Sequence, residues 1–290
     1  MSTVSSWWFP PIPLGRIAVL RVLAYLFVPL DVLVTTSWVV HHGDVPGVLY
    51  RPVRIARFLD LPTPTPAVVG GLRTVLLAAA VVAALAACTG ATRLVRVAGV
   101  LVAGSYLWWM FIAMSYGKVD HDRFAYLVLL AVLPTVGAAR FGQQEPAPGA
   151  GWVVRLVQVS AVATYFLAAW AKIRFGGWGW VNGATFSRAI IRRGTMFSDW
   201  TLHVPWLLRA AQWAMVVGEL LSPVVLFVRE RLQVRIVVGL IAFHVVTFAA
   251  LRIVFLPHLV ALAAFLPLER VGTRRAPARE ISRGSPLPAA

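Results

Sequence analysis

Long apolar runs separated by short polar breaks set the pattern of this chain. They fall at about residues 15 to 40, 67 to 88, 94 to 115, 123 to 140, 152 to 172, 205 to 228 and 233 to 253. Each approaches or exceeds the roughly 20 residues that carry an α-helix across the hydrocarbon core of a bilayer. An eighth run, Phe255 to Leu268, is shorter and opens beside Pro257, which suits a thin crossing or a helix partly buried against its neighbours. The pattern therefore predicts an all-α integral membrane protein of about eight transmembrane helices with no sizeable soluble domain. Its expected parts are an N-terminal segment over 1–14, a transmembrane domain over 15–268 and a disordered basic tail over 269–290. Two connections are long. Residues 41–66 end in Leu61-Pro62-Thr63-Pro64-Thr65-Pro66, and residues 173–204 are rich in Trp, Gly and Arg. Neither an internal repeat nor a second soluble unit is visible.

Composition agrees with this pattern. Hydrophobic residues make up 59% of the 290 and charged ones only 13%, far from the balance of a soluble domain. The net charge of +16 does not point to nucleic acid, because the arginines sit between apolar runs or in the tail and no binding motif accompanies them. Cytoplasmic loops and anionic headgroups account for them instead. The loops with Arg93 and Arg96, with Arg140, and with Arg229, Arg231 and Arg235 share one face with the tail, and the positive-inside tendency makes that face cytoplasmic. Residues 1–30 lack a cleavable signal pattern, since Trp7, Trp8 and three prolines precede the first run. The expected location is a cell membrane, crossed many times. A single cysteine, Cys88, excludes an internal disulfide and any site built from cysteines alone.

Span counting places the chemistry. His41, His42, His121, His203 and His258 all lie at connections after odd-numbered runs, as do Lys118, Asp120 and Asp122, while Lys172 ends the fifth run on the same side. Within the runs Asp31, Glu219 and His244 are expensive, since an ionisable group in hydrocarbon costs about 2.5 to 3.5 kcal/mol on insertion scales. They should face the bundle interior, either as structural pairs or as parts of a proton relay, with Arg21, Arg252 and Tyr165 as candidate partners. Only two of the 27 basic residues are lysines, a bias of the kind GC-rich bacterial genomes impose. Lys172 is followed by Trp178, Trp180, Asn182 and Gly183 and has two readings. It either snorkels to the headgroups, or is desolvated enough to give up its proton and serve as a base, which arginine cannot do. His121, between Asp120 and Asp122, is either a proton carrier or part of a wet, mixed-charge loop. Neither a metal-ligand spacing nor a Walker, HExxH or GxSxG motif occurs.

Taken in order, these residues resemble the HTTM superfamily, the membrane domain of vitamin K-dependent γ-glutamyl carboxylases and related bacterial proteins. The pieces are Leu20-Arg21-Val22-Leu23 with Asp31, Asp120-His121, Tyr165-Phe166-Leu167-Ala168 with Lys172, Trp180-Val181-Asn182-Gly183, Glu219-Leu220, Phe243-His244 and Phe255-Leu256-Pro257. The resemblance runs from about Leu14 to Leu268. It implies an eight-helix bundle whose site opens away from the cytoplasm, with a quinone or hydroquinone as cofactor. It also implies that Lys172 is the base that deprotonates the hydroquinone and that His121 assists it. Tyr165, Trp178, Trp180, His244 and His258 are then expected around the cofactor. Departures argue against glutamate carboxylation itself. Ala171 stands beside Lys172, three extra residues precede the Trp-Val-Asn-Gly stretch, and the large luminal region of the carboxylases is not present in this sequence.

Two functions follow. One is a membrane enzyme that uses a quinol at the extracytoplasmic face and acts on a peptide or lipophilic substrate. The alternative is a non-enzymatic membrane partner in the maturation or export of a secreted protein. Both need the lipid bilayer, and neither needs nucleic acid.

Overall fold

Each of the eight apolar runs becomes a helix, but not all to the expected length. The computed structural model describes residues 3–271, so the basic tail expected over 269–290 falls outside them from residue 272 on. Among the described residues the α-helices are α1 (Thr3–Trp8), α2 (Leu14–Leu30), α3 (Arg54–Phe58), α4 (Pro66–Thr89), α5 (Thr92–Met114), α6 (Phe124–Val132), α7 (Gly151–Gly176), α8 (Ala184–Arg193), α9 (Pro205–Leu221), α10 (Glu230–Leu251) and α11 (Leu256–Leu262). The only pairing of strands in the described residues joins Ile12–Pro13 to Pro146–Ala147, antiparallel. The protein is all-α.

Five helices are long and apolar enough to cross a membrane: α2 together with the π turn Asp31–Thr35, α4, α5, α7 and α10. The runs expected over 123–140, 205–228 and 255–268 give shorter α-helices, and proline is the reason in two of them. Proline lacks the N–H that continues the helical ladder and its ring crowds the preceding turn. Accordingly α6 passes into a 3₁₀ turn at Leu133–Thr135, around Pro134, and α9 does so at Ser222–Leu226, around Pro223. Pro257 instead occupies the first turn of α11, where its missing N–H costs nothing.

Local signals explain the other ends. Thr65 caps α4 by accepting the Val68 N–H at 3.3 Å, and Gly90 closes the helix in the left-handed conformation at φ 72°. That turn lays α5 back along α4, where buried Ala79, Ala80, Ala83, Ala84 and Ala87 let the two backbones approach closely. Where the helical segment ends after Pro134, the buried Arg21 guanidinium takes up its last carbonyls and those just beyond, donating to Leu133 O at 3.0 Å, Val136 O at 2.6 Å and Gly137 O at 3.0 Å. The core lies between α2, α4, α5, α6 and α7, around Tyr25, Leu76, Tyr106, Trp109, Tyr126 and Leu129. The outward faces are apolar as well, with Leu85, Val97, Leu101, Val238, Val246 and Phe248 all exposed.

Candidate functional site

The C-terminal half of α7 brings Tyr165 and Lys172 to one face, seven residues or two turns apart. The side chain of Lys172 does not turn outward. Its Nζ donates to both carboxylate oxygens of Glu219 on α9, at 2.6 and 2.8 Å, and lies 5.5 Å from the centre of the Trp180 ring. Both side chains are largely covered, 21% and 11% exposed. Trp180 is fixed in turn, because Gln212 on α9 donates to its carbonyl at 2.6 Å. The Asn182-Gly183 pair has a structural part to play. Asn182 Oδ1 accepts the Ala184 N–H at 2.8 Å and Gly183 adopts φ +99°, which starts α8.

One layer deeper, Tyr165 Oη and His244 Nε2 on α10 are 2.7 Å apart. His258, at the start of α11, sets its ring edge-on to Tyr165 at 4.7 Å and lies 5.6 Å from the His244 ring. Phe255 closes the group at 4.7 Å from His244. His258 is only 1% exposed, yet neither of its ring nitrogens has a hydrogen-bond partner in the protein, and His244 Nδ1 has none either. A buried imidazole nitrogen without a protein partner is unusual, and three of them fall within this one cluster.

His121 stands at the rim, exposed, in the 3₁₀ turn His121–Arg123 that packs on α11. It is within electrostatic reach of both Glu219 and His258. Beside it Asp122 is half-buried, and the desolvation pushes its carboxyl up from the ordinary value, opposed in part by Arg123. Asp120 pairs with Lys118 at 2.6 Å.

The structure thus brings Lys172, His121, Tyr165, Trp180, Glu219, His244 and His258 to one end of the bundle. Trp178 and Asp31 stand apart. Trp178 is exposed and stacks on Trp213 at 5.9 Å. Asp31 is fully buried in a second network, with Arg123 Nη1 at 2.6 Å and Tyr106 Oη at 2.8 Å, joined by the hydroxyls of Thr35 and Thr36. Of the partners expected from sequence, Tyr165 does pair with His244. Arg21 serves carbonyls and not Asp31, and Arg252 makes no ion pair with a described residue. Arg123 and Tyr106 are not among the partners expected for Asp31, although Arg123 directly follows Asp120-His121-Asp122 at the mouth of a run. Among the described residues no group of three or more His, Cys, Asp or Glu side chains is placed to hold a metal ion. Comparison of the chain with protein-family models, with curated proteins and with solved structures gives no match.

Proposed function

We propose that the chain is embedded in a cell membrane as an eight-helix bundle of the HTTM kind and is a quinol-using enzyme working at its extracytoplasmic face. Membrane embedding is supported by the five helices of spanning length and by their exposed valine, leucine and phenylalanine faces, which far exceed what a monomeric soluble protein leaves in water. The observation that carries the enzymatic reading is the inward turn of Lys172 onto Glu219, next to three buried imidazole nitrogens without partners.

A bound hydroquinone would supply an ionisable hydroxyl, whose proton is the one Lys172 takes up. His258 and His244, whose free ring nitrogens suit a hydroxyl or carbonyl oxygen, would hold it together with Tyr165. Glu219 orients the Lys172 nitrogen. A proton passed along the 2.6 Å contact turns ammonium and carboxylate into amine and acid, and the freed lone pair makes Lys172 a base. His121, at the rim and within reach of Glu219, carries protons between this pair and water. Phe255 and Trp180 keep the surroundings apolar.

The test is quinone extracted from purified protein, compared across variants of residue 172. Wild type should retain it, and Lys172→Ala should lose it. Arginine stays protonated at any working pH, so Lys172→Arg should fold normally and keep the pairing with Glu219 but lose turnover of a quinol. Retention of turnover in Lys172→Arg would make the pair structural. Absence of both quinone and quinol turnover in the wild type would instead leave the non-enzymatic role in maturation of an exported protein.

A further inference from the structure

The long connection after α7 is not an open loop. Its helix α8 buries Ile190 and half-buries Phe186 against the bundle, while Arg188 and Arg192, four residues apart and so on one face, point away from it with Ile191 and Arg193 also exposed. The turn that follows is fastened down. The hydroxyls of Thr195 and Ser198 donate to the carbonyls of Ala249 and Ala250 at 2.6 and 2.8 Å, capping the end of α10. Because the turn is held there, Met196 and Phe197 cannot fold back and remain 81% and 66% exposed, with Trp200 beside them.

Charge on this segment is one-sided. From Ile173 to Gly218 the chain has five arginines, Arg174, Arg188, Arg192, Arg193 and Arg209, against a single acid, Asp199. All five are exposed, and none makes an ion pair with a described residue. The segment sits where α7 ends, α9 begins and α10 ends, the level at which exposed Trp170, Trp178 and Trp206 also collect. Tryptophans at that depth and apolar tips alternating with arginines fit a lipid surface, where the tips enter the acyl boundary and the guanidiniums meet phosphate.

We infer that residues 184–200 form an interfacial anchor that binds anionic phospholipid headgroups on the same face as Lys172. The inference rests on membrane embedding and not on the quinol reading. Its occupant is a headgroup and not an acidic peptide, because a peptide gives the arginines partners but leaves Met196, Phe197 and Ile191 in water.

The full chain, reconstituted in bilayers, tests this through quenching of Trp200 by brominated lipids, taken as the difference between wild type and Trp200→Phe. Brominated phosphatidylglycerol should quench this component at several-fold lower lipid fraction than brominated phosphatidylcholine. Replacing Arg188, Arg192 and Arg193 by Gln should remove the preference, at about fivefold in affinity for each arginine, with the thermal midpoint in phosphatidylcholine unchanged. Should the triple variant fail to fold, Arg192→Gln alone should give a graded loss. Equal quenching by both lipids in wild type, an unaltered preference in the folded variants, or displacement of the quenching lipid by polyglutamate would each overturn the anchor. Absence of quenching of every tryptophan by either lipid would overturn it too, and with it the membrane embedding, which separates the two failures. Loss of quinone from the site would touch neither.

Discussion

Asp31 is fully buried, and its charge is met by Arg123, whose side chain is 8% exposed. A buried pair of this sort adds little over an apolar pair of the same shape, yet removing one partner strands the other, at a cost of about 3–5 kcal/mol. Asp31→Leu and Arg123→Met should therefore each destabilise the fold by that amount, while the double variant Asp31→Leu/Arg123→Met costs clearly less than the sum. Equilibrium unfolding in micelles arranged as a double-mutant cycle measures this, and additive losses would show that the two groups do not act as a pair. Asp31 was legible in the sequence as a costly group needing an interior partner, since that follows from burying a carboxylate. Which arginine answers it was not. Arg21 lies nearer along the chain, but its guanidinium is taken by carbonyls left open where the helix ends around Pro134, a tertiary consequence of a break 113 residues away in the sequence. The same holds for Lys172 and Glu219. Both stood out individually, but only the side-by-side packing of α7 and α9 makes them partners.

At the level of helices, the apolar runs located all eight segments but overstated two of them, because hydropathy continues past the prolines at 134 and 223 while the hydrogen-bond ladder does not. The amphipathic α8 was hidden for a different reason, since ten residues with three arginines look like a loop until the inward Phe186 and Ile190 find the bundle. Glycines within α5 show how closely these helices are fitted. A Cβ on Gly99 would lie 2.5 Å from Tyr25 Oη and 2.9 Å from Pro134 Cγ, so the site is a close crossing of α5 over α2 and the end of α6. Gly104, one and a half turns on, faces open space. Gly99→Ala should destabilise by about 1–3 kcal/mol through overpacking. Gly104→Ala should be neutral or stabilise by up to about 1 kcal/mol through helix propensity. Thermal unfolding of the two variants side by side is the check, and equal effects would deny the crossing.

Across the whole molecule the two ends of the bundle do different work. One gathers Lys172, Glu219 and the imidazoles; the other is a latch that joins α2 to the 3₁₀ turn Leu268–Arg270 that follows α11. There Arg16 on α2 donates to both carboxylate oxygens of Glu269, at 2.8 and 3.0 Å, while Gln144 donates to the Glu269 carbonyl at 2.6 Å and Gly15 N–H to Gln143 O at 3.1 Å. Burial works against the charged form of Glu269, but the hydrogen bonds from Arg16 and the backbone, with the charges of Arg16 and Arg270, outweigh it and hold the carboxyl below its ordinary value of 4.5. A carboxyl depressed in the folded state stabilises the fold above its unfolded value, and that contribution fades as pH falls through the ordinary range and down past the folded value. The latch should therefore weaken on acidification from about pH 5 downward. Asp122, raised by burial, has the opposite sign, with its contribution complete below the ordinary 3.8 and fading as pH rises through its higher folded value. Unfolding midpoints measured from pH 3 to 7 separate the two. Glu269→Gln should flatten the acid limb of the curve and leave the rest, Asp122→Asn should raise stability toward neutral pH, and an acid limb as steep in Glu269→Gln as in wild type would mean that α2 and the turn after α11 are not held together by this pair.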